Sequence, residues 1–190
     1  DTDDLDRSAY RILKELTGLD NVLLKQYAIF GKPNRLNNPN DLTWLCSTSK
    51  LKVRRVVTVT YYSLIKIVKS NPAKTLLTGA YWIPIKKIPQ LAFDHNYIIE
   101  SALKAIRNEM QIEPLGFELL PKKFTIRQIQ NLYEEILGKK LDNRNFRKKI
   151  SSLKYIVALP EKEKNVNHKP AQLYKLDKKK ISKSRKIFVW

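Results

Sequence analysis

The chain has 190 residues, 43% of them hydrophobic, and carries 37 Lys+Arg against 18 Asp+Glu for a net charge of +19. That is enough apolar material for a buried core in one or two domains, with a charge balance suited to a polyanion or an anionic surface. A single cysteine, Cys46, excludes an intrachain disulfide and a thiolate zinc site, and two histidines so far apart, His95 and His168, supply no metal centre.

No apolar run reaches membrane-spanning length, and no signal peptide is visible. The cysteine usage fits a reducing cytoplasm. Neither a metal nor a cofactor is expected. The charge is uneven: residues 119–190 hold 20 basic and 6 acidic side chains, an excess of 14, whereas residues 1–118 hold 17 and 12, an excess of 5. A basic C-terminal third joined to a more neutral part fits a nucleic-acid module attached to a different domain; a solvated lysine-rich surface is the bland alternative.

In chain order, Leu5, Ala9, Ile12, Leu13 and Leu16 recur at helical spacing, and Gly18 follows as a stop, so residues 5–16 read as a helix. Residues 22–30 look extended. Residues 36–55, rich in Asn and Ser and including Trp44 and Cys46, read as a long loop. The β-branched and aromatic run 56–67 reads as a strand, in which Tyr61 and Tyr62 alternate across the two faces. Residues 80–85 read as a short strand ended by Pro84, with Trp82 in the core. Residues 96–110 form a helix that Asp94 or His95 can cap. Pro114, Gly116 and Pro121 mark a domain boundary, giving domains 1–112 and 113–180 and a basic tail 181–190.

The second domain carries the sharpest signal. Thr125 and Gln128 match a capping box, and Ile126, Ile129, Leu132, Tyr133, Ile136 and Leu137 form one apolar stripe that Gly138 ends. A second helix starts at Asp142, with Phe146, Ile150 and Leu153 to dock it on the first. Its opposite face shows Arg144, Arg147, Lys148 and Ser151, with Asn143 and Asn145 near the amino end. Two strands follow around the basic loop PEKEKNVNHKP, which carries His168 and Lys169. Helix, turn, helix and β-wing together read as a winged helix-turn-helix. Arg pairs bidentately with guanine and Asn with adenine, so this face has the chemistry of major-groove reading. Arg127, Lys149 and Lys154 suit phosphates, and His168 and Lys169 at the wing tip suit the backbone or the minor groove.

Residues 121–153, with EPLGFELL before them and HKPAQLYKLD after, resemble the C-terminal domain of the Nudix-related transcriptional regulators, a family controlling NAD metabolism or sugar use. RRVVTVTYYSLIKI, AYWIPIKKIPQLAFDH and YAIFGKPNR resemble its effector domain. The resemblance implies an α+β chain: a Nudix-like α/β/α sandwich, here lacking its front strands, then a winged helix-turn-helix. The tail of the Nudix signature aligns with residues 11–19. Arg11, Glu15, Gly18 and Leu19 match, but Ile12 and Leu16 stand where metal-binding glutamates belong, and Asp3 replaces the upstream one.

Nudix hydrolysis needs several carboxylates on one helix to hold Mg²⁺ against a diphosphate, and Ile12 and Leu16 cannot ligate. The resemblance therefore implies a non-enzymatic regulator with no catalytic residue and no metal. It would be a homodimer on a palindromic double-stranded DNA operator, sensing a pentose or an ADP-ribose-like nucleotide. Arg11, Glu15, Arg35, Tyr61, Tyr62 and His95 are the candidate effector contacts. A diphosphohydrolase with a basic accessory domain is the rival reading. An RNA-binding module is a third, and it lacks the aromatic platforms that bases stack on.

Overall fold

In the computed structural model, which describes residues 3–36, 38–50, 52–67 and 80–181, the first expected helix forms as α1, Leu5–Thr17. Asp4 caps it by accepting the Arg7 N–H at 2.8 Å, and Gly18, at φ 70°, closes it with an N–H to the Lys14 carbonyl. Its apolar face has no buried residue, and Leu5, Ile12 and Leu16 are all exposed. Strand β1, Lys25–Phe30, pairs antiparallel with β2, Thr58–Tyr62, matching Lys25 to Tyr62 and Phe30 to Thr58 across a bulge at Gln26/Ala28.

Between them the expected loop is corrected: Pro39–Ser49 is a helix, α2. Asn38 caps it through the Asn40 N–H at 3.0 Å, and Pro39 sits where a helix needs no amide hydrogen. Trp44 lies on it, half exposed, with its ring 6.0 Å from that of Phe93. The expected strand at 80–85 is corrected too. Residues 80–84 have no strand pairing, and a short 3-10 turn follows at Ile85–Lys87. Trp82, expected in the core, is 52% exposed.

Helix α3 runs His95–Ile112. By packing, the chain divides into two compact units, Asp1–Ala102 and Leu103–Trp190, so the division falls within α3, ahead of the Pro114–Pro121 segment. In the first unit Tyr27 donates to the Ile98 carbonyl at 2.8 Å, and its ring meets those of Phe30 and Tyr62. Thr60 is the one buried residue among those described there.

The second unit holds the apolar core. Ile106 and Met110 of α3 are buried, as are Phe117, Phe124 and one face of α4, Ile126–Leu137. Both halves of the Thr125/Gln128 capping box form, and Gly138, at φ 70°, ends the helix where an L side chain would be strained. Arg107 Nε donates to the Ile136 carbonyl at 2.9 Å and so serves the same C-terminus. Helix α5, Asn143–Ser151, starts at the Asp142 cap and buries Phe146 and Ile150. Phe146 and Tyr133 pack ring edge to face, 6.1 Å apart. Leu153 and Tyr155 complete the core, and burial pushes the phenols of Tyr133 and Tyr155 above their usual range, keeping both neutral.

Strands β3, Ile156–Lys162, and β4, Gln172–Leu176, form the wing hairpin. Phe124 bridges the other side of β4 through two hydrogen bonds with Tyr174. A short helix α6, Lys178–Ile181, follows; the basic tail beyond it lies outside the described residues. No helix among the described residues is long and apolar enough to cross a membrane.

Candidate nucleic-acid interface and effector pocket

Helix α5 sorts its side chains by angle. Phe146 and Ile150 point inward, and Arg144, Arg147, Lys148 and Ser151 are all exposed on the opposite side. Asn145 and Lys149 form one shoulder, lining a small hollow of about 140 Å³ with Leu141, Asp142 and Phe146. Asn143 forms the other shoulder and accepts from Arg127 at 3.2 Å, which brings a cation of α4 to the start of α5. The residues expected to read DNA bases are therefore gathered on one helix and its rim, with Arg127 beside them.

The wing is anchored at its base. Glu163 N–H donates to the Ala171 carbonyl at 2.9 Å, and Lys123 pairs with Glu161 at 2.6 Å, holding that carboxyl below its usual range. His168 and Lys169 stand exposed on the loop, the His168 ring 3.2 Å from the Lys169 carbonyl.

The first unit contains two adjoining apolar hollows, of about 290 and 540 Å³, which share Leu13, Thr17, Leu24 and Tyr61. The smaller is completed by Ser63, Tyr81 and Trp82, among others, and the larger by Ile12 and Leu16. Of the six candidate effector residues, Tyr61 alone lines them. It donates to Asp6 at 2.7 Å, which raises its phenol pKa. Tyr62 turns to the other face of β2 and meets Tyr27 at 6.1 Å.

Arg11 lies between Asp3, at 3.2 Å, and Glu15, at 3.5 Å, so these two acidic side chains share one guanidinium. His95 stacks obliquely near Phe93, 5.5 Å away. Arg35 is engaged within the fold. It forms a two-point ion pair with Asp94, at 2.7 and 2.8 Å, and donates to the Phe30 carbonyl and, at 3.0 Å, to Thr58 Oγ1. The guanidinium holds the Asp94 carboxyl below its ordinary range. With those donors engaged, Arg35 fastens β1, β2 and the start of α3 together and lines neither hollow.

Sequence reasoning missed Tyr81, Trp82 and Ser63 as lining residues. The aromatic run between two irregular segments was the available signal. Ser63 Oγ is buried and meets no hydrogen-bond partner among the described residues.

Comparison with known proteins agrees with this geometry. Residues 116–176 match the NrtR DNA-binding winged helix domain. Over 169 residues the chain is 29% identical to an ADPR responsive transcriptional repressor, NtrR, of Acinetobacter baylyi, covering 88% of this chain and 61% of that one. The chain thus spans about three fifths of that relative's length. The crystal structure of Shewanella oneidensis NrtR complexed with a 27mer DNA superposes with a TM-score of 0.64 at 22% identity, covering 98% of this chain and 78% of that one. A MutT/nudix family protein from Enterococcus faecalis superposes with a TM-score of 0.56 at 23% identity, covering 92% and 69%. The fold is therefore of the Nudix-plus-winged-helix kind expected from the sequence.

Proposed function

We propose that this chain, whose residues 116–176 are an NrtR-type winged helix, is a transcriptional regulator that reads DNA with α5 and answers to a small metabolite. The observation that carries the reading is the exposed cationic face of α5, on a domain matching that family. In this reading α5 enters the major groove, Arg144 and Arg147 pair with guanine edges, and Asn145 and Asn143 serve adenine or backbone. Arg127, Lys148, Lys149, Ser151, His168 and Lys169 hold phosphates and set the register. Two copies on a palindrome give two half-sites about one helical turn apart.

Residues 1–112 are the sensing part and residues 113–180 the reading part. The effector is ADP-ribose-like, a choice supported by the ADPR response of the Acinetobacter relative; a pentose is the alternative. Its site is the pair of hollows around Tyr61 rather than Arg35. Hydrolysis is lost. Ile12 and Leu16 line an apolar hollow where carboxylates would be needed, and Asp3 and Glu15 are both ion-paired with Arg11.

The test is a titration of ADP-ribose, and separately of arabinose, against the chain bound to a duplex that it selects from a random pool. A shift of operator affinity worth about 1–3 kcal/mol is expected with one of them. Selection of no sequence removes the regulator reading, and Mg²⁺-dependent turnover of ADP-ribose at about 1 s⁻¹ or faster restores the hydrolase.

A further inference from the structure

Residues 138–142 connect α4 to α5. So short a connection still leaves the second helix free to tilt, unless the backbone just ahead of its cap is fixed. Here that backbone belongs to Leu141, and side chains of α4 hold both of its polar groups. The Leu141 N–H donates to Glu134 Oε1 at 3.1 Å, and its carbonyl accepts from Gln130 Nε2 at 2.9 Å. The same Gln130 nitrogen donates to Glu134 Oε1 at 3.0 Å, and Lys140 Nζ reaches Glu134 Oε2 at 2.7 Å.

Gln130 and Glu134 are 2% and 6% exposed, within the face of α4 that is otherwise apolar. Burying two polar side chains there is unfavourable unless each is bonded, and an apolar pair would fill the space without that demand. Apolar contact is non-directional, whereas hydrogen bonds fix a backbone group in both distance and angle. One residue beyond Leu141, Asp142 caps α5 through the Asn145 N–H at 2.8 Å, and the exposed arginines follow.

We infer that Gln130 and Glu134 are positioning residues for sequence reading: by clamping Leu141 they set the angle at which α5 presents Arg144 and Arg147. They control discrimination between DNA sequences rather than the overall attraction to DNA. Hydrogen bonds to base edges need a fixed helix, whereas phosphate attraction tolerates a tilt. The inference rests on the DNA-reading proposal above.

The test uses the full chain on its selected duplex and on a scrambled duplex of equal composition. Gln130→Met removes both bonds at similar volume; Glu134→Gln keeps an oxygen for the Leu141 N–H. Gln130→Met is expected to lose about tenfold on the selected duplex, the scale of one base contact, with scrambled-duplex affinity and salt slope unchanged. Glu134→Gln retains most of the preference. Should the Met variant not fold, Gln130→Asn, one methylene short of Leu141, carries the same expectation. An unchanged affinity ratio in the folded Gln130 variant overturns the inference. Arg144→Ala runs in parallel. If it too leaves the ratio unchanged, the DNA-reading proposal fails; if it lowers the ratio while the Gln130 variant does not, only the positioning role fails.

Discussion

Phe146 and Arg147 are neighbours in sequence and lie on different sides of α5, so their alanine variants should fail in different assays. Phe146 is 1% exposed and packs against Tyr133. A buried Phe removes about 150–250 Å² from water, at about 25 cal/mol per Å², and truncation also leaves a cavity. Phe146→Ala should therefore cost about 3–5 kcal/mol. At about 0.05–0.15 kcal/mol per residue, the unit Leu103–Trp190 has roughly 4–13 kcal/mol in all. The loss is a large share of that, and at about 4–8 °C per kcal/mol it lowers the melting temperature by roughly 12–40 °C.

Arg147→Ala removes an exposed side chain and should leave stability within about 0.5 kcal/mol. It should weaken binding to the selected duplex by about 1–3 kcal/mol and broaden the sequences accepted. Thermal unfolding by circular dichroism and duplex binding by fluorescence anisotropy separate the two effects. The reasoning fails if Arg147→Ala melts as early as Phe146→Ala, or if Phe146→Ala melts within a few degrees of the parent.

Glu134 gives a pH dependence of definite sign. The Lys140 ammonium, then the Leu141 N–H and the Gln130 amide, hold its carboxyl at about 2, below its ordinary 4.5. Its contribution is complete above the unfolded value and drains away as pH falls through the folded one, so the stability gap between the parent and Glu134→Gln should be present at about pH 6 and cut to a minor part by about pH 2.5, measured by urea unfolding. Arg35→Ala should destabilise the chain by about 3 kcal/mol because it strands the largely buried Asp94 carboxylate, and Arg35→Lys should recover only part, since an ammonium cannot make the two-point pair. A parent-like urea midpoint for Arg35→Ala would contradict this. Lys154→Ala should weaken all duplexes alike and reduce the slope of log affinity against log salt by about 0.9, with sequence preference unchanged.

The second unit was legible because its signals are local. The Thr125/Gln128 box, the stripe, Gly138 and Asp142 each specify their own turn of chain, and all four formed. The same stripe also hid something: Gln130 and Glu134, four residues apart, sit amid the apolar positions, and that exception marked the clamp. Helix α2 announces its start with Asn38-Pro39, and Leu42, Leu45 and Cys46 stand at helical spacing, but three positions amid Asn and Ser are too short a stripe to outweigh a composition that read as loop. Residues 80–85 have the chemistry of a strand, yet a strand exists only with a partner, and among the described residues β1 pairs with β2 alone. Arg35 looked like a free cation because its partner, Asp94, lies 59 residues away.

The outer strand of the wing has one more consequence. β4 is flanked by β3 on one side and by Phe124 on the other, so β3 is the side left open to another chain. Pro160 within it has no N–H, and the pairing slips between Ala158 and Lys162. The Gln172 side chain covers the gap, donating to the carbonyls of Leu159 and Glu161. An incoming strand would find a missing donor and a kink. Copies of the chain brought close together would thus be kept from zipping edge to edge through β3, so the wing hairpin is protected from seeding aggregation.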